Sequence, residues 1–386
     1  MLRPFRRCVV QRRSSSSSSL LRGLKGGSLV PRRPSSSRQW RFELPPARDA
    51  PFKVVFAGEA HFLAALPLTR AALDELAVDG VELAQVPAAE LSKALEDAQC
   101  CIPFMERLDG ALIRGAPDLR LVVQFGVGLE GVDAGACARA GVALSNCPAD
   151  ASQNSDATAE HAVFLAIAML RGGVDALAGR FRDRVLGGFP LPRQLRGKRV
   201  LVVGHGAVGR ALAAKLRGPW GADVVLAHAH RDWGDGEAPP GADVAAGRPG
   251  VLAALPGADV VVLCCPLTDD TRNFVDAAFC AALKPGAVLV NVGRGPIVSR
   301  TAVLDALRAD PAFSFASDVG VGDATRPSEP WDPADELSAH PRAYFTPHVG
   351  GYTDVSYANM SRVVAGAIAN VKAREPPDVW LNRDAE

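Results

Sequence analysis

Acidic residues are missing from the first 42 positions, which carry ten arginines, one lysine and the serine run Ser14–Ser19. A segment rich in arginine and serine and free of acids has the composition of an organellar transit peptide. Leu2, Phe5 and Val9 among Arg3, Arg6 and Arg7 fit a short basic amphipathic helix, which favours a mitochondrion over a plastid. The competing reading is a solvated basic tail on a cytoplasmic protein. Without those eleven cations the net charge of +1 becomes −10, so the body is acidic and nucleic acid is not an expected partner. Long apolar runs are also missing. The longest, Ala162–Leu170, falls far short of the roughly 20 residues of a bilayer span, so no membrane contact is expected. The eight cysteines form no C-x-x-C pair and no zinc-ligand spacing. They are expected as small buried side chains in a reducing compartment, with no metal. No internal repeat suggests a solenoid.

What is present is room and rhythm. A chain of 386 residues can build two domains with real cores. Short apolar runs alternate with helical patterns. Lys53–Ala57, Val81–Ala84, Ala111–Ile113, Leu119–Gln124 and Val142–Leu144 are expected as strands in the first part, with a helix around Thr69–Leu76. Val224–Ala227, Val260–Leu263, Ala287–Val290 and Phe313–Ala316 continue the pattern, and Val363–Lys372 is expected as a last helix. Such alternation implies parallel α/β sheets.

In mid-chain, Val200–Val203 runs into Gly204-His205-Gly206-Ala207-Val208-Gly209 and then into the helix-forming Arg210–Leu216. Strand, glycine turn and helix in that order describe a dinucleotide-binding unit. Gly204 permits the tight turn, Gly206 lets backbone approach a pyrophosphate, and Gly209 lets helix and strand pack closely. The N–H groups of Ala207 and Val208 then open the helix toward the phosphates. A lone fingerprint of this kind is weak evidence, because glycine turns are common.

Later segments add weight. Asn291-Val292-Gly293-Arg294-Gly295 follows a strand, Ser328-Glu329-Pro330 comes next, and Thr346-Pro347-His348-Val349-Gly350-Gly351 after it. With Phe125-Gly126-Val127-Gly128-Leu129-Glu130-Gly131-Val132-Asp133 upstream, the chain resembles the D-isomer-specific 2-hydroxyacid dehydrogenases from about residue 53 to residue 382. The motifs occur in the family's order, which is more specific than any one of them.

The resemblance implies a hydride-transfer site. Arg294 offers a planar fork of donors for the carboxylate and carbonyl oxygen of a 2-oxo acid, with the backbone N–H groups of Val127 and Gly128 beside it. His348 becomes the general acid in reduction and the base in oxidation. Glu329 is expected to pair with His348 and raise its pKa. It stands eleven residues after Asp318, farther than the family's usual spacing, so an insertion within Gly320–Pro327 is expected and Asp323 is the alternative partner. Each residue also has a bland reading: Arg294 as a turn cap, His348 as a structural histidine. For His161, in the apolar helix, the structural role is preferred. Asp318 is expected at the nicotinamide carboxamide, or else as a helix cap. Pro266 and Thr271 match the family's loop beneath the adenosine half, and Val292 and Gly350 border the cofactor in the same motifs.

Cofactor choice turns on another absence. NAD-preferring sites carry an acid about 20 residues beyond the glycines, on the ribose 2′-hydroxyl. Here the strand ends Ala227-His228-Ala229-His230-Arg231-Asp232, with no acid at its tip. His228, His230 and Arg231 suit a 2′-phosphate, so NADP is favoured over NAD. Asp232 turning inward, or a solvated basic loop, is the alternative.

The expected fold is α/β, two Rossmann-like parallel-sheet domains with the dinucleotide domain inserted into the substrate domain. Residues 1–50 are leader and linker. Residues 51–154 and 344–386 build the substrate domain, and 155–343 the dinucleotide domain. The apolar Ala162–Leu170 helix suggests a homodimer by resemblance. The expected activity is reversible reduction of a small 2-oxo acid of the glyoxylate, hydroxypyruvate or hydroxyphenylpyruvate class. Loops near Cys100–Phe104 and Trp331 are expected around the substrate. The short stretch after the last helix leaves no room for a C-terminal regulatory domain, which lowers the expectation of a phosphoglycerate dehydrogenase. The alternative from another class is an NAD(P)-sensing interaction protein, similar to the C-terminal-binding corepressors.

Overall fold

The first sheet contains β1 (Phe52–Ala57), β2 (Val81–Val86), β3 (Cys100–Ile102), β4 (Leu121–Gln124) and β5 (Ala143–Asn146), in the order β2-β1-β3-β4-β5. The second contains β6 (Arg199–Val203), β7 (Asp223–Ala227), β8 (Asp243–Ala245), β9 (Val260–Leu263), β10 (Val288–Asn291), β11 (Ser314–Ser317) and β12 (Ala343–Phe345). Its order is β12-β11-β10-β9-β6-β7-β8. Every pairing is parallel. This computed structural model describes residues 51–58, 64–185, 191–320 and 335–383. The expected leader and most of the linker, with Glu329, Asp323 and Trp331, lie outside the described residues. Both sheets belong to one compact unit.

Why these runs become parallel strands is visible in their composition. Val54–Ala57, Val200–Val203, Val260–Leu263 and Val288–Asn291 are buried at every position. Strands covered by helices on both faces have no solvent side, so they are apolar throughout rather than alternating. In the second sheet the chain leaves β6 through β7 to β8, then returns to build β9 to β12 on the other side. The reversal between β6 and β9 is a topological switch point, the crevice where open α/β sheets bind ligands. Gly204 directly follows β6 there.

Two long helices tie the halves together. Asn154–Leu170 packs Ala162, Leu165, Ala166 and Met169 into the core of the second sheet. Those four residues are buried within the chain, while Phe164 on the same helix stays 45% exposed. The last helix, Asp354–Lys372, sends Tyr357, Met360, Val364 and Ile368 into the core of the first sheet. Beyond it, Leu381 N–H donates to Leu144 at 2.8 Å and Asn382 Oδ1 accepts from Leu144 N–H at 2.9 Å. The described residues thus start and finish on one sheet, with the second built between.

Some expected elements differ. Ala111–Ile113 lies in a helix, Gly110–Arg114, whose first N–H groups are capped by Asp109 Oδ1 at 2.9 and 3.0 Å. Cys100–Ile102, for which no strand is expected, is a fully buried central strand, and the loop near it begins at Pro103. The last helix begins nine residues earlier than expected, capped by Thr353. The seven described cysteines are free thiols and none is exposed. Burial pushes Cys101, Cys147 and Cys265 up to about 12, so they are inert at neutral pH. Among the described residues no single helix is long and apolar enough to cross a membrane, and no cluster of ligands suits a metal.

Candidate active site

The fingerprint loop sits at the switch point. Gly204 takes φ +115°, and a Cβ there would lie 2.6 Å from the Cys265 nitrogen. A Cβ on Gly209 would strike the Gly204 carbonyl. Gly206 differs from both, because a Cβ on it would meet nothing within 4 Å. The Ala207–Arg217 helix starts at this open spot without a side-chain cap. Uncapped N–H groups facing free space at a positive helix end fit a pyrophosphate. The residues present therefore fit a dinucleotide.

Beside it, β10 ends in a loop built by Asn291. This buried side chain accepts from Gly293 N–H at 3.0 Å and donates to the Arg294 carbonyl at 2.9 Å. A Cβ on Gly293 would lie 2.8 Å from the Cys265 carbonyl. The loop is thereby pressed against the neighbouring strand end, and Val292 is buried under it. Arg294 projects outward toward the glycine loop that follows β4. There Asn146 Nδ2 holds the Val127 carbonyl at 2.8 Å. A side chain on Gly128 would displace the Arg294 guanidinium and the Glu130 carboxylate from where they sit. Arg294 Nε donates to Glu130 Oε1 at 3.0 Å. Val127, Gly128 and Arg294 thus converge from two different sheets.

His348 arrives on the loop after β12. Its backbone is left-handed, φ +52°, and its N–H donates to the Thr346 carbonyl at 2.9 Å. Asp318, at the end of β11, holds this loop. It accepts from Thr346 Oγ1 at 2.6 Å, Val349 N–H at 2.9 Å and Gly350 N–H at 2.8 Å. Thr346 spends its one proton on Asp318, so His161 Nε2, 2.8 Å from the same hydroxyl, is the donor to it. Burial opposes the charge on Asp318, but bonds from His161 and Thr346 outweigh it and hold the carboxyl below its ordinary range. Asp318 therefore anchors the His348 loop, a role that sequence reading missed, and His161 supports it structurally.

Electrostatics joins these pieces. Burial and then the Arg294 charge depress the His348 pKa below its ordinary value, while Asp318 and Glu130 pull it upward. The expected rise therefore does not come from the described surroundings. Glu329 and Asp323 lie outside the described residues.

At the adenosine side several of the expected residues make internal contacts. Thr271 is fully buried, donating to the Pro266 carbonyl at 2.7 Å and accepting from Thr268 N–H at 2.7 Å. It shapes the loop from inside and leaves the exposed Pro266 as its outer face. The basic residues after β7 are not free either. His228 Nε2 lies 3.0 Å from Glu237 Oε1, and Arg231 donates to both Glu237 oxygens. Arg231 and the Gly234 N–H hold that carboxyl far below its usual range. An acid does stand at the strand tip, contributed from ten residues beyond β7 by a returning loop. His205 and Trp233 stack against His228, with ring centroids 6.1 and 4.3 Å away, and only His230 stays exposed and unengaged by this acid.

Comparison with known proteins agrees with this geometry. A family model described as D-isomer specific 2-hydroxyacid dehydrogenase, NAD binding domain, matches residues 164–350. The chain is 28% identical over 308 residues to a glyoxylate reductase of Pyrococcus furiosus, covering 78% of this chain and 87% of that one. It is 30% identical over 268 residues to glyoxylate/hydroxypyruvate reductase A HPR2 of Arabidopsis thaliana, covering 67% and 77%. A solved NADPH-dependent glyoxylate/hydroxypyruvate reductase of Sinorhizobium meliloti, in complex with NADP and malonate, superposes with a TM-score of 0.65. It shares 26% identity over 83% of this chain and 92% of that one. A nicotinamide fingerprint, a carboxylate-binding arginine and a proton-carrying histidine on two parallel sheets are what such an oxidoreductase requires. The chain belongs to the D-isomer-specific 2-hydroxyacid dehydrogenase family, enzymes that move a hydride between a nicotinamide cofactor and a small 2-oxo or D-2-hydroxy acid.

Proposed function

We propose that this protein reduces glyoxylate and hydroxypyruvate, with NADPH as the preferred reductant. The observation that supports the reading is the Arg294 guanidinium lying against the Val127–Gly128 loop, within electrostatic reach of His348. The nicotinamide supplies the hydride. Arg294 and the loop amides bind the substrate carboxylate and polarise the carbonyl, and His348 gives the new hydroxyl its proton. The names of the relatives support the two substrates. For NADPH, support comes from the absence of an acid directly after β7, the exposed His230 and the relative solved with NADP. A 2′-phosphate would draw Arg231 partly away from Glu237. Steady-state assays of NADPH and NADH with a panel of 2-oxo acids test this; NADH outrunning NADPH would sink the cofactor preference.

Glu329 is proposed as the carboxylate that pairs with His348, ahead of Asp323. The sign follows from the chemistry. Reduction needs the imidazolium, so kcat/KM falls as pH rises through the His348 pKa, and oxidation rises there. The described surroundings hold that pKa below its ordinary value, and an acidic partner raises it. Glu329→Gln should therefore shift the falling limb of the reduction profile to lower pH, whereas Asp323→Asn should leave it in place. A shift with the second variant alone would exchange the two roles.

The assembly is proposed to be a homodimer, for a reason different from the sequence expectation. The Val174–Arg182 helix buries none of its residues, and Phe181 and Leu177 are 85% and 42% exposed. Exposed apolar surface of this kind marks a contact face. Light scattering should give twice the chain mass, and Phe181→Asp should lower it; a wild-type monomer contradicts the proposal. Division into a substrate part, 51–154 with 344–386, and a cofactor part, 155–343, is supported by the return of the last helix to the first sheet. Residues 1–50 are proposed to direct the protein to an organelle, the mitochondrion ahead of the plastid, on the strength of their composition.

A further inference from the structure

The donors assigned to the substrate carboxylate are already facing a carboxylate of the protein itself. Glu130 Oε1 accepts from Arg294 Nε at 3.0 Å. Its second oxygen fills the space that a side chain on Gly128 would need, and so does Arg294 Nη2. Glu130 therefore pairs with the arginine fork over Gly128, where a substrate carboxylate is expected. Both side chains remain partly exposed, 35% for Arg294 and 40% for Glu130, so exchange with a solute is open. Behind Glu130 a surface cavity of about 190 Å³, walled by Arg107 and by Asp109 and Asp133, gives a displaced side chain space.

We propose that Glu130 is an internal competitor for the Arg294 fork, displaced when a 2-oxo acid binds, and that it sets which anions this site accepts. The inference rests on the reading that Arg294 holds the substrate carboxylate. A tethered carboxylate competes at an effective concentration on the order of millimolar. A simple monocarboxylate such as acetate brings the same group and nothing more, so it does not dislodge Glu130. A 2-oxo acid adds a carbonyl oxygen that reaches further donors on Arg294 and His348, and wins the exchange. Glu130 thus discriminates against small anions that lack a second anchoring oxygen. Glu130 also works on His348: its charge favours the imidazolium, and the arriving substrate carboxylate takes over that task.

The test is calorimetric titration of the cofactor-loaded enzyme with oxamate, an unreactive analogue of a 2-oxo acid, and separately with acetate. An exposed ion pair is a weak competitor, so Glu130→Gln should bind oxamate about two- to fivefold more tightly than wild type. Acetate should gain at least as much, which narrows the gap between the two ligands. The KM for the 2-oxo acid should fall by a similar factor. Unchanged or weaker oxamate binding in Glu130→Gln overturns the proposal and makes Glu130 a positioning residue for Arg294. Oxamate binding that survives Arg294→Gln, or is absent from every form including wild type, overturns the carboxylate site itself. Those two failures are distinct, because the first leaves the Arg294 dependence of oxamate binding intact.

Discussion

His348→Gln should lower kcat for 2-oxo acid reduction by about 10²–10⁴-fold, the range a positioned general acid contributes. That corresponds to about 3–5 kcal/mol of barrier. Cofactor affinity should stay near the wild-type level, because the backbone bond of His348 goes to Thr346 and not to the fingerprint loop. One complication is conformational. His348 sits at φ +52°, a region that bulky side chains adopt with strain. Asn enters this region more readily than Gln, so His348→Asn is the companion variant. Both remove the proton carrier, and only the Gln variant adds backbone strain. Comparable losses in the two, with a lower melting temperature in Gln alone, separate chemistry from folding. Near-wild-type turnover in either would remove His348 from the mechanism.

Arg294→Gln should reduce kcat/KM by about 10³-fold or more, since one lost donor to developing oxyanion charge already costs about 10²–10³. The change also removes the charge that binds the substrate carboxylate. Arg294→Lys keeps the charge but loses the planar fork, so its loss should be smaller and fall mainly on kcat. A second signature comes from electrostatics. Arg294 is among the groups that depress His348, so neutralising it should move the falling limb of the reduction profile to higher pH. That shift is readable even at low residual activity. A purely structural arginine, capping the turn after β10, would lower stability and leave the pH profile in place.

Much of the site was legible because its residues stand beside backbone signals. Gly204, Gly206 and Gly209 could be assigned separate tasks before any coordinates, and each glycine meets a different environment in the structure. Arg294 was marked by Asn291 and Gly295, and the structure supplies the reason: Asn291 folds the loop that projects it. Other features are tertiary and leave no local trace. Glu237 reaches His228 and Arg231 only through a returning loop, so a search for an acid directly after β7 passes it by. The strand-end position of Asp318 suits a cofactor contact, and nothing local announces that it also anchors a distant loop. Its bonds to Val349 and Gly350 join positions 31 and 32 residues apart. The secondary-structure errors have physical causes too. Ala111–Ile113 is too short for periodicity to separate strand from helix, and the Asp109 cap was the signal to weigh. Cys100–Ile102 is short and flanked by Gln99 and Pro103, which hides a central strand inside a loop-like context.

The central claim is hydride transfer to one face of a 2-oxo acid, with His348 completing a D-hydroxy acid. Glyoxylate cannot test that, because its product is not chiral, but hydroxypyruvate can. Incubating the protein with NADPH and hydroxypyruvate, then resolving the glycerate enantiomers, is the most direct measurement. The account predicts D-glycerate, formed in step with NADPH consumption and lost in the His348 variants. L-glycerate, or NADPH left unconsumed with every 2-oxo acid offered, would contradict it.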